Sequence, residues 1–335
     1  MPPLGIVIGG PMRMIADLAK IAEDGGYESV WVAETARTPF VQAAIACQMT
    51  SRVTVGTAIA LAFPRSPTIA AMTARDLAEL SGGRFVLGLG SQVKRVNVER
   101  FGVPFEHPAP KMVEYAEAVR AVLDTFDGKP IDFHGRFYEL TMPPFPGAES
   151  AGVIPLYLAA VNARMAEAAG TTYDGLLGHP MTSPSYIRDV VRPAVERGAR
   201  AAGRDPADVS VTTSVILQIN EDRERARREA AYQIGFYATT RTYTPVLAVH
   251  GFDDLVPPLR EAHARQDMEA MADIALPMVD TYAIVGASPD ECRERLAAFD
   301  GVADRVILGP AWVGPSQSAI VENYRAILTG LAPGR

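Results

Sequence analysis

Short apolar runs alternate along the chain with longer segments in which apolar side chains recur every three or four residues. The short runs are typical of buried strands and the longer segments of amphipathic helices. Strands that alternate with helices indicate a parallel sheet with crossover helices, and eight of them favour closure into a barrel over an open sheet. The predicted strands are residues 4–8, 29–33, 53–59, 84–89, 154–159, 174–177, 209–217 and 305–308.

Capping residues mark the boundaries of one helix clearly. Ser66 and Pro67 fit the N-cap and first-turn positions of a segment with apolar residues at helical spacing. Gly82 and Gly83 follow it and supply the permissive backbone that ends a helix. A strand is predicted directly afterwards, which supports the alternation.

Two connections are much longer than an ordinary loop, at about residues 92–153 and 221–304. The first contains a predicted helix at 110–126, and the second contains helical segments at 221–240 and 255–278. Long connections with structure of their own commonly serve as lids, substrate walls or subunit contacts. We therefore predict a single domain, residues 1–335, with insertions after strands 4 and 7.

Composition narrows the class of protein. The 335 residues are 48% hydrophobic, which allows one large core, and the net charge of -7 leaves no cationic excess for nucleic acid or anionic lipid. The chain enters an apolar strand within four residues, with no signal-peptide pattern, and its apolar runs are shorter than a membrane span. We expect a cytoplasmic protein that binds a small molecule, with neither nucleic acid nor a membrane as partner.

Cysteine and histidine positions give no sign of a metal site. Cys47 and Cys292 lie far apart in segments that read as amphipathic helix, so we expect partly buried, inert thiols. The five histidines form no closely spaced ligand pair. The sequence therefore predicts no metal.

Glycine spacing shows whether the sequence contains the glycine-rich turn of a dinucleotide-binding fold. The nearest candidate has Gly88 and Gly90, but Val93 stands where the third glycine belongs. A phosphate-binding loop of the nucleotide-hydrolase type is also missing from the sequence. Any cofactor must therefore be held by the loops of the barrel.

Residues at the carboxyl ends of barrel strands are those able to act on a ligand. Here these ends are rich in glycine and neutral polar groups, which suits a flat, uncharged heterocycle. The predicted ends include Gly9, Gly10, Glu34, Thr35, Ala58, Ile59, Gly90, Ser91, Gln92, Asn162, Gly178, His179, Gln218, Gly309 and Pro310.

Several motifs in order resemble the bacterial luciferase-like family. The runs are GGYESVWVAE at 25–34, SRVTVGTAI at 51–59 and LSGGRFVLGLGS at 80–91, continued by DFHGRFY at 132–138 and YLAAVN at 157–162. More narrowly, they are similar to the coenzyme F420-dependent oxidoreductases within that family. The resemblance extends over nearly the whole chain.

The resemblance implies a bacterial luciferase-like TIM barrel, a (β/α)8 fold, with coenzyme F420 at its mouth and FMN as the alternative cofactor. It also implies a bulge in the third strand with a non-prolyl cis peptide bond at Ala58–Ile59. This bulge, together with Thr57, is expected to support one face of the cofactor ring and leave the other face for substrate.

Glu34 and Thr35 match an acidic residue and a histidine that follow the second strand in better-known members. Glu34 is predicted to bind the cofactor and to contribute to catalysis, with a solvated loop carboxylate as the alternative. Thr35 cannot shuttle protons as a histidine does, and Val93 replaces a glutamate used as an acid. The chain thus lacks the acid-base set of the sugar-phosphate dehydrogenases in the family.

The phosphate and tail of the cofactor are expected at the ends of strands four and five, where backbone N–H groups and a helix N-terminus favour an anion. Lys94 and Arg95 are predicted either to meet the tail carboxylates or to lie in a solvated loop. The predicted cradle consists of Gly90, Ser91, Gln92, Ala160, Val161, Asn162 and Arg164.

His179 is the titratable group of suitable pKa at the predicted barrel mouth. It is our first candidate for a proton donor or a substrate-orienting group, and it is also predicted to contact the cofactor. A structural hydrogen-bond role is the alternative. Trp312, just after strand eight, is expected to pack at the rim or to face the cofactor.

Hydride transfer between carbon 5 of the deazaflavin and a carbonyl, an alcohol or an activated double bond is the predicted function. An FMN-dependent monooxygenase and a non-catalytic flavin-binding or deazaflavin-binding protein are the competing hypotheses, with a cofactor-free barrel lyase more remote. Family analogy suggests a homodimer or a higher homo-oligomer.

Overall fold

A computed structural model describes residues 1–145 and 149–334. Twelve strands lie in this part of the chain. They are β1 Leu4–Ile8, β2 Ser29–Val32, β3 Thr54–Thr57, β4 Ala60–Leu61, β5 Phe85–Gly90, β6 Ile131–His134, β7 Glu139–Met142, β8 Leu156–Ala160, β9 Gly175–Gly178, β10 Ser210–Ile219, β11 Ala283–Gly286 and β12 Arg305–Gly309.

Fourteen α-helices accompany these strands in the described ranges. They are α1 Met12–Asp24, α2 Pro39–Met49, α3 Pro67–Ser81, α4 Pro108–Asp124, α5 Ala163–Thr172, α6 Pro184–Tyr186, α7 Arg192–Ala201, α8 Arg223–Ala238, α9 Thr244–Ala248, α10 Val256–Ala264, α11 Met268–Ala275, α12 Val279–Tyr282, α13 Pro289–Leu296 and α14 Gln317–Gly330.

Eight parallel strands close into a barrel in the order β1-β2-β3-β5-β8-β9-β10-β12. The ring is completed where Leu4 pairs with Val306 and where Thr212 of the long strand β10 pairs with Arg305. The predicted (β/α)8 barrel is therefore confirmed, and each of its eight strands overlaps a predicted one. The caps of α3 also lie as predicted, because the Ser66 hydroxyl accepts the Ile69 N–H and Gly82 has φ +66°.

Three elements differ from the prediction. The polar hairpin β6–β7 and the four-residue strand β11 lie inside the two predicted insertions, where neither was expected. Both are short, and a short apolar run such as β11 has no period that separates a strand from a helix. In addition, α4 packs between α3 and α5, so it is the regular crossover helix of the barrel, and residues 92–153 are not wholly an insertion.

Two aromatic and three aliphatic side chains pack together in the barrel interior. Trp31 is completely buried, and its indole N–H donates to the Ser29 hydroxyl at 2.9 Å. Its ring lies against Gly56, where a Cβ atom would come within 2.3 Å of the ring, so only glycine fits there. The interior is therefore a packed core below the mouth. The buried members of this cluster are Trp31, Val86, Tyr157, Leu177 and Ile307.

Two buried carboxylates bind backbone N–H groups of neighbouring turns. Glu23 accepts three such bonds from residues 51–53, at 2.6 to 3.0 Å, and Glu114 accepts three from residues 136–138, at 2.6 to 2.9 Å. Burial acts to raise the pKa of Glu23, but the backbone N–H groups stabilise the charge more, so the pKa is lowered. The motif at 132–138 is thus a hairpin turn built over Glu114.

In the described ranges, none of the helices combines the length and the apolar character that crossing a bilayer requires.

Candidate functional site

The residues predicted to bind a cofactor lie at the carboxyl ends of five strands that are neighbours in the barrel. These strands are β2, β3, β5, β8 and β9. Pairing aligns Val32 with Thr57 and Ala160 with Gly178, so the ends lie at similar heights. The structure therefore brings the predicted residues together along one continuous arc of the mouth.

A bulge interrupts the barrel wall between β3 and β4. Gly56 pairs with Val86 and Ala60 pairs with Leu89, so four residue steps on one strand face three on the other. The two intervening residues, Ala58 and Ile59, are partly exposed, and the peptide bond between them is cis. The bulge and its cis bond lie where the family resemblance placed them.

An ion pair fastens this bulge from the side of β2. The two guanidinium nitrogens of Arg65 lie 2.6 and 2.8 Å from the two carboxylate oxygens of Glu34, with side-chain exposures of 18% and 7%. The Leu61 N–H donates to the same carboxylate at 2.8 Å, and Arg65 donates to the Leu61 carbonyl at 2.9 Å. The Glu34 backbone N–H donates to the Ile59 carbonyl at 3.1 Å. Both carboxylate oxygens are thus already engaged.

Glycines on β5 make room for the bulge from the other side. A Cβ atom on Gly88 would lie 1.8 Å from the Thr57 carbonyl oxygen, and one on Gly90 would lie 2.1 Å from the end of the Ile59 side chain. The Thr57 hydroxyl donates to the Gly88 carbonyl and accepts from its N–H. Thr57 is fully buried, so its side chain ties the two strands together and is not presented to the mouth.

The loop after β5 is organised around a buried asparagine. The Asn97 side chain donates to the carbonyls of Ser91 and Val93, at 2.8 and 3.1 Å, while its carbonyl oxygen has no partner in the described chain. Gln92 has φ +56°, a conformation unusual for a residue with a side chain. Ser91 and Gln92 are partly exposed at the mouth.

Charged residues of the same loop differ in whether they already form an ion pair. Arg95 pairs with Glu99 at 2.9 Å, whereas Lys94 is exposed and makes no ion pair within residues 1–145 and 149–334. Arg100 reaches across to the backbone carbonyl of Thr35. Thr35 is exposed, and this contact links the loops that follow β2 and β5.

The N-terminus of α5 faces the same arc. The Asn162 side chain caps the helix by accepting the Met165 N–H at 3.0 Å, and the backbone N–H groups that precede Met165 lie in the open first turn. Arg164 is exposed, and Val161 is partly exposed, whereas Ala160 is buried. Helix N–H groups and an arginine are suited to an anion.

His179, directly after β9, packs into a cluster of three rings. Its ring centroid lies 4.4 Å from that of Tyr237 at the end of α8, and 4.5 Å from that of Tyr243. The two tyrosine centroids are 6.1 Å apart. We call these three residues the ring cluster. All three residues are mostly buried, and a minor part of each is exposed.

The protonation state of His179 follows from its surroundings. Burial lowers the pKa of its imidazole to about 3, so the ring is neutral near pH 7. Its Nδ1 accepts the Met181 N–H at 3.2 Å, which places the ring proton on Nε2. His179 can therefore donate a hydrogen bond, but it is not an imidazolium acid at neutral pH.

Three residues of this mouth were not among those predicted from the sequence. Arg65 follows the bulge. The sequence shows its charge, but it does not show that Arg65 pairs with Glu34. Tyr237 and Tyr243 lie in the segment after β10, and only the folded chain shows that this segment returns to His179.

Other predicted features lie away from the mouth. Cys47 and Cys292 are both buried, and burial raises the pKa of Cys47 to about 11 and that of Cys292 to about 12, as expected for inert thiols. His134 bonds Asp132 and Glu139 on the outer hairpin. Trp312 is 43% exposed and packs near Tyr324 at the rim.

The chain is similar to known proteins over most of its length. A family model described as luciferase-like monooxygenase matches residues 4–305. An uncharacterised protein of Mycobacterium tuberculosis is 37% identical over 321 residues, which cover 93% of this chain and 94% of the relative. A 5,10-methylenetetrahydromethanopterin reductase of Methanolobus tindarius is 28% identical over 324 residues, covering 93% and 94%.

A solved structure matches the whole fold. The coenzyme F420-dependent tetrahydromethanopterin reductase of Methanopyrus kandleri superposes with a TM-score of 0.82 at 21% identity, covering 99% of each chain. At this identity the likeness establishes the fold of the barrel and the arrangement of its connections.

Proposed function

Because the chain belongs to the luciferase-like monooxygenase family, we propose that it is an oxidoreductase that binds coenzyme F420 at the barrel mouth. The proposed reaction moves hydride between the cofactor and a small organic molecule that carries a carbonyl, an alcohol or an activated double bond. The bulge at Ala58 and Ile59 is the observation that carries the proposal, because it leaves two uncharged residues partly exposed between the buried residues Thr57 and Ala60. The names of the Methanolobus and Methanopyrus reductases support the same class of chemistry.

The mouth fits an uncharged ring in shape and chemistry. Ala58 and Ile59 form an apolar surface on one side, and a Cβ atom placed on Gly9 or Gly10 would meet nothing within 4 Å, so the end of β1 borders open space. An apolar wall beside such space favours the face of a planar heterocycle. We assign Ala58 and Ile59 to the cofactor ring.

The mouth also fits the anionic part of the cofactor. The open first turn of α5, the side chain of Arg164 and the ammonium group of Lys94 supply positive charge beside the strand ends. Arg95 is already neutralised by Glu99, so we assign it no role in binding. Phosphate and tail carboxylates would be held by Arg164, Lys94 and the N–H groups of α5.

When bound, coenzyme F420 supplies the carbon atom that accepts or gives up the hydride. The chain itself positions the reactants and excludes water. Glu34 acts through Arg65 and Leu61 to fix the bulge, so we propose that it is a positioning residue. His179 orients the substrate oxygen by donating a hydrogen bond from Nε2.

Binding of the two candidate cofactors tests the proposal. The purified chain is titrated separately with coenzyme F420 and with FMN, and binding is followed by fluorescence and by retention on gel filtration. We expect saturable binding of F420 and weaker binding of FMN. Retention of FMN without affinity for F420 would instead support a flavin-dependent monooxygenase.

Two variants of the loop and helix sharpen this test. Arg164→Gln removes an exposed cation, and we expect it to weaken F420 binding about tenfold, roughly the worth of one charge-assisted contact. Arg95→Gln is the matched control, because its charge is already paired with Glu99, and its affinity should stay within about twofold of the parent. Equal effects of both variants would contradict the assigned cradle.

Binding without turnover is a separate outcome. If F420 binds but none of the tested alcohols, aldehydes, ketones or enones changes its absorbance, the chain is a deazaflavin-binding protein without the proposed reaction. The absence of a catalytic acid at positions 35 and 93, occupied by Thr35 and Val93, makes this outcome worth testing.

We also propose that the chain forms a homodimer through the outer faces of α1, α2 and α3. These helices pack side by side and expose several large apolar side chains, an arrangement typical of an interface. The Ile69→Glu variant should yield a monomer by light scattering, whereas Val249→Glu, at an exposed site elsewhere, should not. The exposed side chains are Met14, Ile21, Val41, Met49, Ile69, Met72 and Leu80.

A further inference from the structure

Two distant parts of the chain meet at the ring cluster. His179 follows β9, whereas Tyr237 ends α8 and Tyr243 lies in the short turn after it. The centroid separations of 4.4, 4.5 and 6.1 Å mean that the three rings pack against one another. Mutual packing fixes the direction of each ring, so their polar ends keep defined positions.

Those polar ends are not used by the protein. Across residues 1–145 and 149–334, neither tyrosine hydroxyl nor Nε2 of His179 makes a hydrogen bond. Two tyrosines elsewhere in the chain do find partners, whereas the buried Tyr324 hydroxyl does not within those ranges. The hydroxyl of Tyr186 donates to the Val161 carbonyl and that of Tyr282 to the Val246 carbonyl. Because the ring cluster is only partly exposed, its three donors are positioned for a ligand.

From this arrangement we infer that the ring cluster is the substrate-binding wall and selects small, uncharged molecules that carry a carbonyl or hydroxyl oxygen. The inference rests on the proposed function and names its substrate class. His179 donates to the substrate oxygen from Nε2, and a tyrosine hydroxyl supplies a second hydrogen bond. The apolar faces of the rings contact the carbon skeleton.

Electrostatics supports uncharged substrates over anions. Burial raises the pKa of Tyr237 to about 12 and also raises that of Tyr243, and it lowers that of His179, so all three groups are neutral near pH 7. No arginine or lysine of the described residues lies over any of these rings, although Arg228 lies over Tyr232 on the same helix. A charged substrate would lose its hydration here without gaining a counter-ion.

The test uses the full chain loaded with coenzyme F420 and a panel of matched substrates. Each pair consists of a neutral compound and its carboxylate derivative, for example cyclohexanol with 4-hydroxycyclohexanecarboxylate and cyclohexanone with 4-oxocyclohexanecarboxylate. Turnover is followed by deazaflavin absorbance. We expect kcat/KM to be at least tenfold higher for the neutral member. A preference for the carboxylates, or no turnover of any neutral compound, would overturn the inference.

Variants separate this inference from the proposed function. Tyr237→Phe and Tyr243→Phe keep the rings and remove one hydroxyl each, so at least one should raise KM about three- to tenfold, the worth of one hydrogen bond. The control Tyr232→Phe removes a hydroxyl that bonds Glu269 outside the cluster, and KM should not change.

Cofactor affinity is measured on every variant. F420 binding should be unchanged in Tyr237→Phe and Tyr243→Phe, because neither residue is assigned to the cofactor. If F420 binds all variants equally and KM never moves, the ring cluster is not the substrate wall, while the proposed cofactor survives. If the parent chain does not bind F420, the proposed function itself fails.

Discussion

The bulge side and the ring-cluster side of the mouth use their polar groups in opposite ways. At the bulge, Glu34, Arg65 and Thr57 all bond to neighbouring side chains or backbone. At the ring cluster, the tyrosine hydroxyls and Nε2 of His179 have no partner in the part of the chain that the structure describes. Polar groups that already have hydrogen-bond partners hold a wall in place, whereas donors without partners are free to bind a ligand.

This difference suggests a division of labour within one mouth. A ring that must present the same face in every turnover benefits from a wall with a single arrangement, which the ion pair and the close glycine contacts enforce. A substrate that enters and leaves needs hydrogen-bond donors that can bind water in its absence and the substrate oxygen in its presence. Substitutions on the two sides should therefore affect stability very differently.

The largest loss is expected for Glu34→Gln. It leaves the guanidinium of Arg65 with no carboxylate in a site where the exposures are 7% and 18%. Breaking such a pair by removal of one partner costs about 3 kcal/mol of unfolding free energy. Urea unfolding followed by circular dichroism measures the change.

An exposed ion pair provides the control for this loss. Arg95→Gln breaks the pair with Glu99. The side chains of Arg95 and Glu99 are 80% and 63% exposed, so solvent screens the pair and the expected cost is far smaller than that of Glu34→Gln. Similar costs for the two variants would mean that Glu34 does not fasten the bulge.

A somewhat smaller loss is expected for Gly88→Ala. The added Cβ would lie 1.8 Å from the Thr57 carbonyl oxygen, a backbone atom that cannot rotate away. Overpacking of this kind costs about 2 kcal/mol, and the displaced bulge should also weaken F420 binding. Gly9→Ala, whose Cβ meets nothing within 4 Å, should leave the stability unchanged. Thermal unfolding and fluorescence titration compare the two.

On the ring-cluster side, stability should depend on pH through His179. The unfolded imidazole binds a proton near pH 6.5, while burial keeps the folded one neutral down to about pH 3. Acid therefore favours the unfolded state, and stability is lost as pH falls below 6.5. His179→Gln should remove this contribution, which amounts to at most about 1.4 kcal/mol per pH unit. Urea titrations at pH 7, 6 and 5 reveal the difference in slope.

His134 provides a control of opposite sign. Its hydrogen bonds to Glu139 and then Asp132 raise the pKa of the imidazole. Its contribution is therefore present below the unfolded pKa and is lost as pH rises through the folded one. His134→Gln should leave the acid loss in place, and a flattened slope in this variant would argue against His179 as the source.

The smallest effect on stability is expected for Tyr243→Phe. Its hydroxyl has no partner in the described ranges, so its removal should change the unfolding free energy by less than about 0.5 kcal/mol. Tyr186→Phe is the matched case, because that hydroxyl bonds the Val161 carbonyl at 3.0 Å and its loss should cost about 1 kcal/mol. A larger cost for Tyr243→Phe would show that its hydroxyl already serves the fold.

The sequence by itself determined the barrel and the positions of its eight strands, and the family resemblance added the location of the bulge. Apolar periodicity and the glycines of the 80–91 motif are local signals, and they can be read from the sequence without knowing the tertiary contacts. Family resemblance added the luciferase-like assignment, which the match to residues 4–305 confirms. The hairpin β6–β7 and strand β11 were missed because their patterns are too short to specify a structure.

Only the tertiary structure decided which distant residues contact each other. It showed that Glu34 pairs with Arg65, 31 positions away, and that Tyr237 and Tyr243 return to His179. Such partnerships depend on how the segment after β10 and the loops pack, and no local pattern encodes that packing. The same packing decides whether a carboxylate is engaged and whether an imidazole is neutral, because burial and hydrogen-bond partners set both.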